Sequence, residues 1–426
     1  MITNLQIENF KSLKGININF GTLNFVVGPN ASGKSNFSEA LDFLSHAVRE
    51  TLSYAVAEKG GFYNICHRRQ RRARGGISFV VKTSHEIRKT IYDVSLAFEL
   101  RAKSEEIRAD FFVASEELDI KLINATNGRE IQLRIWREDD RYKIYHSRDD
   151  FNENDLTQLQ RRLVKTFEWL EDVFNDEEPI RALPQQLLVS GILKGYPAIA
   201  AAVREVQGLR VYQLNPRVAR QPAAPSVHGE LGRRGENLAS ALDKMRIDDS
   251  KSFVKLGSWL KDVVPSLEGI ITNYTETRQL GLFFQEEGFA SRWFAEDVSD
   301  GTIMSVSLFF VLLDKRHKQI VIEEPETSLH PWILKNFIER CREMSESRQI
   351  IITTHSPLAV AHAKPDELYL VERNDGVTNI RKAIDIEPKL SEIIRKDLID
   401  LGQYWISGGL GAVPKVADDG SSDLFG

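Results

Sequence analysis

GPNASGKS, residues 28–35, places Gly28 four residues ahead of Gly33-Lys34-Ser35. It follows the apolar run LNFVV, residues 23–27, and precedes a segment whose apolar residues Phe37, Leu41, Leu44 and Val48 repeat at helical spacing. A strand, a glycine-rich turn and a helix in that order make a phosphate loop of the form G-x4-G-K-[ST]. The chemistry asks for these residue types. Glycines let backbone N–H groups turn inward around phosphate oxygens, and the helix N-terminus adds its dipole. Lys34 is placed to reach the β- and γ-phosphates and the Ser35 hydroxyl to ligate Mg²⁺. The expected ligands are ATP and Mg²⁺. The expected nucleotide-binding residues are Gly28, Pro29, Asn30, Ala31, Ser32, Gly33, Lys34, Ser35 and Asn36.

A triphosphate site also needs an acidic wall. IEEPETSLHP, residues 322–331, supplies Glu323, Glu324 and Glu326 directly after the apolar run Ile320-Val321-Ile322. A carboxylate ending a buried strand holds the metal, and a neighbouring one orients the attacking water. Glu323 is thus expected on the metal and Glu324 on the water. Glu326 is either beside that site or solvated at the start of a helix. Bound metal and phosphates make adjacent carboxylates tolerable.

The segments around these two motifs set the fold class. After residue 300 the pattern is helix 301–314, strand 318–323, helix 331–346, strand 348–353, helix 357–363 and strand 367–371, an alternation that argues for a parallel α/β sheet. Residues 3–27 read as two strands, TNLQIENF and then ININ with LNFVV, about a turn near Leu13-Lys14-Gly15. A helix is expected over 34–53 and a loop over 60–76. From 77 to 148 the runs ISFVVKT, TIYDVSLAFEL, IRADFFVA, LDIKLIN, IQLRIWR and YKIYHS read as an antiparallel β block, with an Asn-Gly hairpin signal in NATNGRE. Leu156, Leu159, Leu163, Phe167, Leu170 and Phe174 mark a helix within 153–182. Residues 213–236, rich in Pro, Arg and Gly, read as a connection. Helices at 236–264 and strands at 268–275 and 279–286 follow.

The 426 residues are 42% hydrophobic and 27% charged, an ordinary globular balance. The net charge of −5 excludes a uniformly basic nucleic-acid coat while leaving room for local basic patches. Cys66 and Cys341 alone make neither a disulfide framework nor a zinc cluster, which points to a reducing, cytoplasmic setting. No apolar run is long enough to span a membrane, and the alternating MITNLQIENFKSLKG is not a signal peptide.

In their order, these motifs resemble the RecF/SMC/OLD branch of the ABC-type ATPases. MITNLQIENFKSLKG is similar to the opening strand of that family, and GPNASGKSNFSEAL to its phosphate loop and first helix. DVSDGT, residues 297–302, resembles its signature loop. IEEPETSLHP resembles its Walker B motif and D-loop, and TTHSP, residues 353–357, its switch-histidine loop. NPR…RRGENLASAL and LGQYWISGGLG look like stand-alone bacterial ATPases of this branch that lack a toprim nuclease domain. The resemblance implies an α/β P-loop ABC-type head with an antiparallel β block and a helical insertion. Its parts would be 1–76 (first part of the head), 77–150 (β subdomain), 151–265 (helical insertion and connection), 266–415 (second part of the head) and 416–426 (a flexible tail). It also implies a homodimer or higher oligomer that sandwiches ATP. Ser299 and Gly301 of one protomer would touch the γ-phosphate held by the other, His355 would sense that phosphate, and His330 would lie at the seam. Glu324 and His355 are the catalytic pair so implied. The chain departs from the family at Glu323, where many relatives carry Asp, and at Ile303-Met304, where many carry Leu-Arg.

Two roles stay open. One is a nucleic-acid-linked ATPase in DNA repair or phage defence, with Arg68, Arg69, Arg71, Arg72 and Arg74 neutralising phosphates and Phe62 and Tyr63 stacking on bases. The other is an ATP-driven switch controlling a separately encoded effector protein. Asp385-Ile386-Glu387 is too lone a carboxylate pair for a metal nuclease, so intrinsic nuclease activity is not expected.

Overall fold

A computed structural model describes residues 1–67, 75–87, 89–104, 110–126, 128, 130–147, 158–175, 181–397 and 399–413. Arg68, Arg69, Arg71, Arg72, Arg74, Leu156 and the expected tail 416–426 lie outside the described residues. The strands are β1 (Ile2–Phe10), β2 (Leu13–Asn19), β3 (Leu23–Val27), β4 (Ile77–Ile87), β5 (Thr90–Ala102), β6 (Phe111–Asn124), β7 (Glu130–Glu138), β8 (Arg141–His146), β9 (Leu209–Tyr212), β10 (Leu267–Tyr274), β11 (Leu280–Glu286), β12 (Trp293–Phe294), β13 (Gln319–Glu323), β14 (Gln349–Thr354), β15 (Leu368–Asn374) and β16 (Val377–Lys382).

One large sheet runs in the order β8-β7-β6-β5-β4-β1-β2-β16-β15-β3-β14-β13-β9, and β10-β11-β12 form a second, small sheet. In the large sheet β15, β3, β14, β13 and β9 are parallel neighbours. Strands β3, β13 and β14 are buried along their whole length and built of apolar, largely β-branched residues, as parallel strands covered on both faces are. Their side chains alternate between two cores, because successive residues of a strand point to opposite faces. Val26, Val321 and Ile351 face the core that holds the helix Lys34–Arg49 (α1). Phe25, Val27, Ile320, Ile322, Ile350 and Ile352 face the other core, which holds the helices 238–248, 250–263, 300–313 and 331–344. The helix Asp300–Leu313 is buried from Thr302 onward, consistent with its being apolar all round.

The antiparallel β block continues the same sheet and reaches the parallel part through β1, β2 and β16. Strand β1 pairs with β2 on one side and β4 on the other, and β4 to β8 follow as successive antiparallel pairs. No described helix is long and apolar enough to cross a membrane.

The structure departs from the sequence reading at several points. Residues 3–27 hold three strands, and Leu13, Lys14 and Gly15 lie inside β2. The reversal is the tight Lys11-Ser12 turn, closed by the Phe10–Leu13 pair and with Lys11 at φ 48°. The described end of the run IRADFFVA, from Phe111, and the run LDIKLIN meet in one strand, β6; a register shift opposite Glu99 and Leu100 makes the expected break a bulge. Helix α1 stops at Arg49, and a second helix, α2 (Leu52–Glu58), restarts where the Thr51 side chain accepts the Tyr54 amide at 3.1 Å. Strands β9 and β16 are short and lack clear alternation; both were unread in the sequence.

Candidate nucleotide site

The phosphate loop connects β3 to α1, and neighbouring strands hold its shape. Gly33 sits at φ 113°, and a Cβ there would stand 2.0 Å from Thr378 Oγ1. A Cβ on Gly28 would stand 2.2 Å from the Val371 carbonyl oxygen. Only glycine fits either position, because β15 and β16 crowd the loop from one side. The Thr378 hydroxyl donates to the Ser32 carbonyl at 2.9 Å and lies 2.7 Å from the Ser12 hydroxyl, which in turn accepts from Asn36 Nδ2 at 2.6 Å. Asn36 therefore faces β2 and β16. Asn30, Ala31 and Ser35 are exposed and Pro29 is half-buried.

Lys34 is only 4% exposed. Its Nζ donates to the Gly28 carbonyl at 2.8 Å and the Pro29 carbonyl at 3.0 Å, so the ammonium is folded back across its own loop. Burial pushes it below the ordinary lysine value, and the carboxylates of Glu324 and Glu326 act against that shift. Ser32 Oγ is buried with no hydrogen-bond partner among the described residues. A buried cation turned on backbone carbonyls, an unpaired hydroxyl and glycines with no room for a side chain fit a phosphate group.

The acidic wall stands at the C-terminal end of β13. Glu323 is 5% exposed. Its Oε1 accepts from Arg233 Nη2 at 2.8 Å. Burial raises its carboxyl above the ordinary carboxylate value, with the Arg233 guanidinium opposing the shift. The next residue, Glu324, adopts φ 46°, in the left-handed region, a conformation costly for a residue with a Cβ and common at functional sites. Its amide donates to the Thr353 carbonyl at 2.8 Å, and its carboxylate is half-exposed.

Glu326 is neither beside the site alone nor simply solvated. Its Oε1 accepts from Thr354 Oγ1 at 2.7 Å and from the His355 amide at 3.0 Å, and His355 Nδ1 lies 3.3 Å away. The same ring nitrogen is 3.7 Å from Glu324 Oε1. Lys34, Glu324, Glu326 and His355 thus converge at the ends of β3, β13 and β14. The exposed Ser35 hydroxyl and the buried Glu323 carboxylate are a donor set suited to Mg²⁺, which takes hard oxygen ligands.

Ser299 and Gly301 lie elsewhere in the chain. The Ser299 hydroxyl accepts from the Thr302 amide at 3.2 Å and caps the helix Asp300–Leu313. Arg220 pairs with Asp300. A Cβ on Gly301 would meet the Ser328 carbonyl at 3.1 Å, so this helix start abuts the turn after Glu326. Neither Ser299 nor Gly301 hydrogen-bonds to the phosphate loop among the described residues. His330 is exposed and caps the next helix, its Nδ1 accepting from the Trp332 amide at 3.3 Å.

Sequence reasoning missed Arg233, Asp42, Thr354 and Thr378 as parts of this site. Arg233 falls inside the RRGENLASAL stretch, but nothing local marks it as a partner of Glu323. Thr354 adjoins the TTHSP histidine and was within reach of a reading that asked what orients His355.

A phosphate loop between a parallel strand and a helix, with a carboxylate wall at the end of a neighbouring parallel strand, defines a P-loop ATPase of the ABC/AAA type. Residues 23–361 match the family described as "AAA domain, putative AbiEii toxin, Type IV TA system". The chain belongs to that family. An OLD nuclease of Thermus scotoductus (strain ATCC 700910 / SA-01) is 22% identical over 392 residues, 88% of this chain and 63% of that protein. This chain thus spans less than two thirds of that relative's length. Among solved structures, an Smc head bound to the C-winged helix domain of ScpA is 16% identical, with a TM-score of 0.49 over 89% of this chain and 97% of that one. The SMC head domain from Thermotoga maritima is 14% identical, with a TM-score of 0.40 over 89% and 98%.

Proposed function

We propose that this protein binds and hydrolyses ATP with Mg²⁺ and dimerises head to head on ATP. The observation that carries the reading is the convergence of buried Lys34, turned on its own loop, with Glu324, Glu326 and His355. Lys34 and the loop amides between Gly28 and Asn36 hold the phosphates. Ser35 and Glu323 are the residues that would hold the metal. Bound Mg²⁺ neutralises phosphate charge and orients the triphosphate. Glu324, with its half-exposed carboxylate, orients the attacking water and takes its proton. His355, fixed by Glu326, contacts the γ-phosphate. Ser299 and Gly301, which make no hydrogen bond to the loop of their own chain among the described residues, complete the partner protomer's site.

DNA repair or phage defence is the proposed setting. The family description, a type IV toxin–antitoxin system, and the OLD nuclease relative favour defence. Arg68, Arg69, Arg71, Arg72 and Arg74 are the proposed DNA contacts. An ATP-driven switch on a separately encoded effector is the competing role.

The test is steady-state ATP turnover of the purified protein, with and without double-stranded DNA, across a salt series. Lys34→Ala should abolish ATP binding and turnover; unchanged affinity for ATP would sink the phosphate-loop assignment. Stimulation by DNA that fades as salt rises supports the DNA-linked role. Turnover indifferent to DNA supports the switch.

A further inference from the structure

Glu323 does not stand alone at the end of β13. Arg233 spans two buried carboxylates: its Nη2 donates to Glu323 Oε1 and its Nη1 to Asp42 Oδ2, each at 2.8 Å. Asp42 also accepts from Lys59 Nζ at 2.5 Å. The four groups form a neutral chain of two acids and two bases. Glu323 Oε2 accepts no hydrogen bond among the described residues, so the arginine holds one oxygen and leaves the other unengaged.

The backbone that carries Arg233 is itself held. The Gln213 amide donates to the Arg233 carbonyl at 2.9 Å, and the Asn215 amide to the Arg234 carbonyl at 3.1 Å. The Gly232 amide donates to Asn237 Oδ1 at 2.8 Å. A planar fork on a fixed loop is a geometric restraint, where a lysine would be a single point charge on a flexible stem.

The two carboxylates belong to the two elements that carry the metal donors. Asp42 lies on α1, the helix that begins with Lys34 and Ser35, and Glu323 ends β13. We infer that Arg233 is a positioning residue for the Mg²⁺ site, a brace that ties α1 to β13 and so sets the spacing between the Ser35 hydroxyl and the free oxygen of Glu323. Mg²⁺ demands near-octahedral geometry at short, fixed distances, so a change in that spacing weakens metal engagement more than phosphate binding. Groups that orient metal ligands from behind are typically worth ten- to a hundredfold in metal affinity. The inference rests on the nucleotide reading above, with Ser35 and Glu323 as metal ligands.

The experiment is equilibrium binding of a fluorescent ATP analogue to the full chain, first in EDTA and then across a MgCl₂ titration. In Arg233→Met, binding in EDTA should stay within about threefold of wild type, while the Mg²⁺ concentration for half-maximal enhancement rises about ten- to a hundredfold. Arg233→Lys should fall between the two, and Asp42→Asn should shift the requirement in the same direction. The two milder variants carry the test if Arg233→Met does not fold. An unchanged Mg²⁺ requirement, or a parallel loss of binding with and without metal, overturns the brace. A wild-type protein that binds no nucleotide in either condition refutes the nucleotide reading, and the brace with it.

Discussion

Replacing Glu326 tests how His355 is held. Its Oε1 takes two hydrogen bonds, from Thr354 Oγ1 at 2.7 Å and from the His355 amide at 3.0 Å. A hydrogen bond to a charged acceptor contributes about 1.5–3 kcal/mol net, and a buried group left unsatisfied costs about 1–3 kcal/mol. The two bonds do not count equally. Thr354 is fully buried, so its hydroxyl loses a partner that water cannot replace. His355 has a side chain 44% exposed, and its amide can be resolvated. Glu326→Ala should therefore loosen the 353–357 segment by about 2–3 kcal/mol. Glu326→Gln keeps an oxygen acceptor, loses only the charge assistance and should cost about 1 kcal/mol. Native-state hydrogen exchange at the His355 amide reads this directly. A change of 2–3 kcal/mol corresponds to exchange roughly 30- to 150-fold faster, with the Gln variant about fivefold faster. ATP turnover should fall in the same order. His355 exchange in the Ala variant within threefold of wild type would refute the anchoring role.

Three further outcomes follow from the geometry. Glu324→Gln should bind ATP yet hydrolyse it poorly and accumulate as a dimer in size-exclusion chromatography with ATP; normal turnover would remove Glu324 from the water-orienting role. Gly33→Ala should cost about 2–4 kcal/mol in urea unfolding and abolish nucleotide binding, because its Cβ would stand 2.0 Å from Thr378 Oγ1 at φ 113°; a stability equal to wild type would contradict the crowding by β16. Glu116 is fully buried in β6, and burial raises its carboxyl from 4.5 to about 8, the Leu188 amide opposing in part. With the folded pKa above the unfolded one, the unfolded chain loses this proton first. The stability this group contributes is complete below about 4.5 and drains away as pH rises toward 8, by roughly 1.4 kcal/mol per unit. Glu116→Gln should accordingly gain stability over wild type between pH 5 and pH 8, and a difference independent of pH would count against it.

The parts of this protein legible in its sequence are those whose chemistry is written in consecutive residues. Gly28 to Ser35 specify a phosphate loop because the glycines, the lysine and the hydroxyl must follow one another within a single turn. Ser299 caps its helix through Thr302, three residues on, and the apolar runs 320–322 and 350–352 announce buried strands by composition alone. The tertiary structure decided what lies far apart along the chain. Arg233 reaches Asp42 across 191 positions and Glu323 across 90, and Glu326 reaches Thr354 across 28. Such pairs leave no periodicity or spacing behind, since each partner alone is an ordinary charged or polar residue. The joining of the β block to the parallel strands through β1, β2 and β16 was hidden for the same reason: alternation tells a strand which face to bury, but not which neighbour its edge will meet.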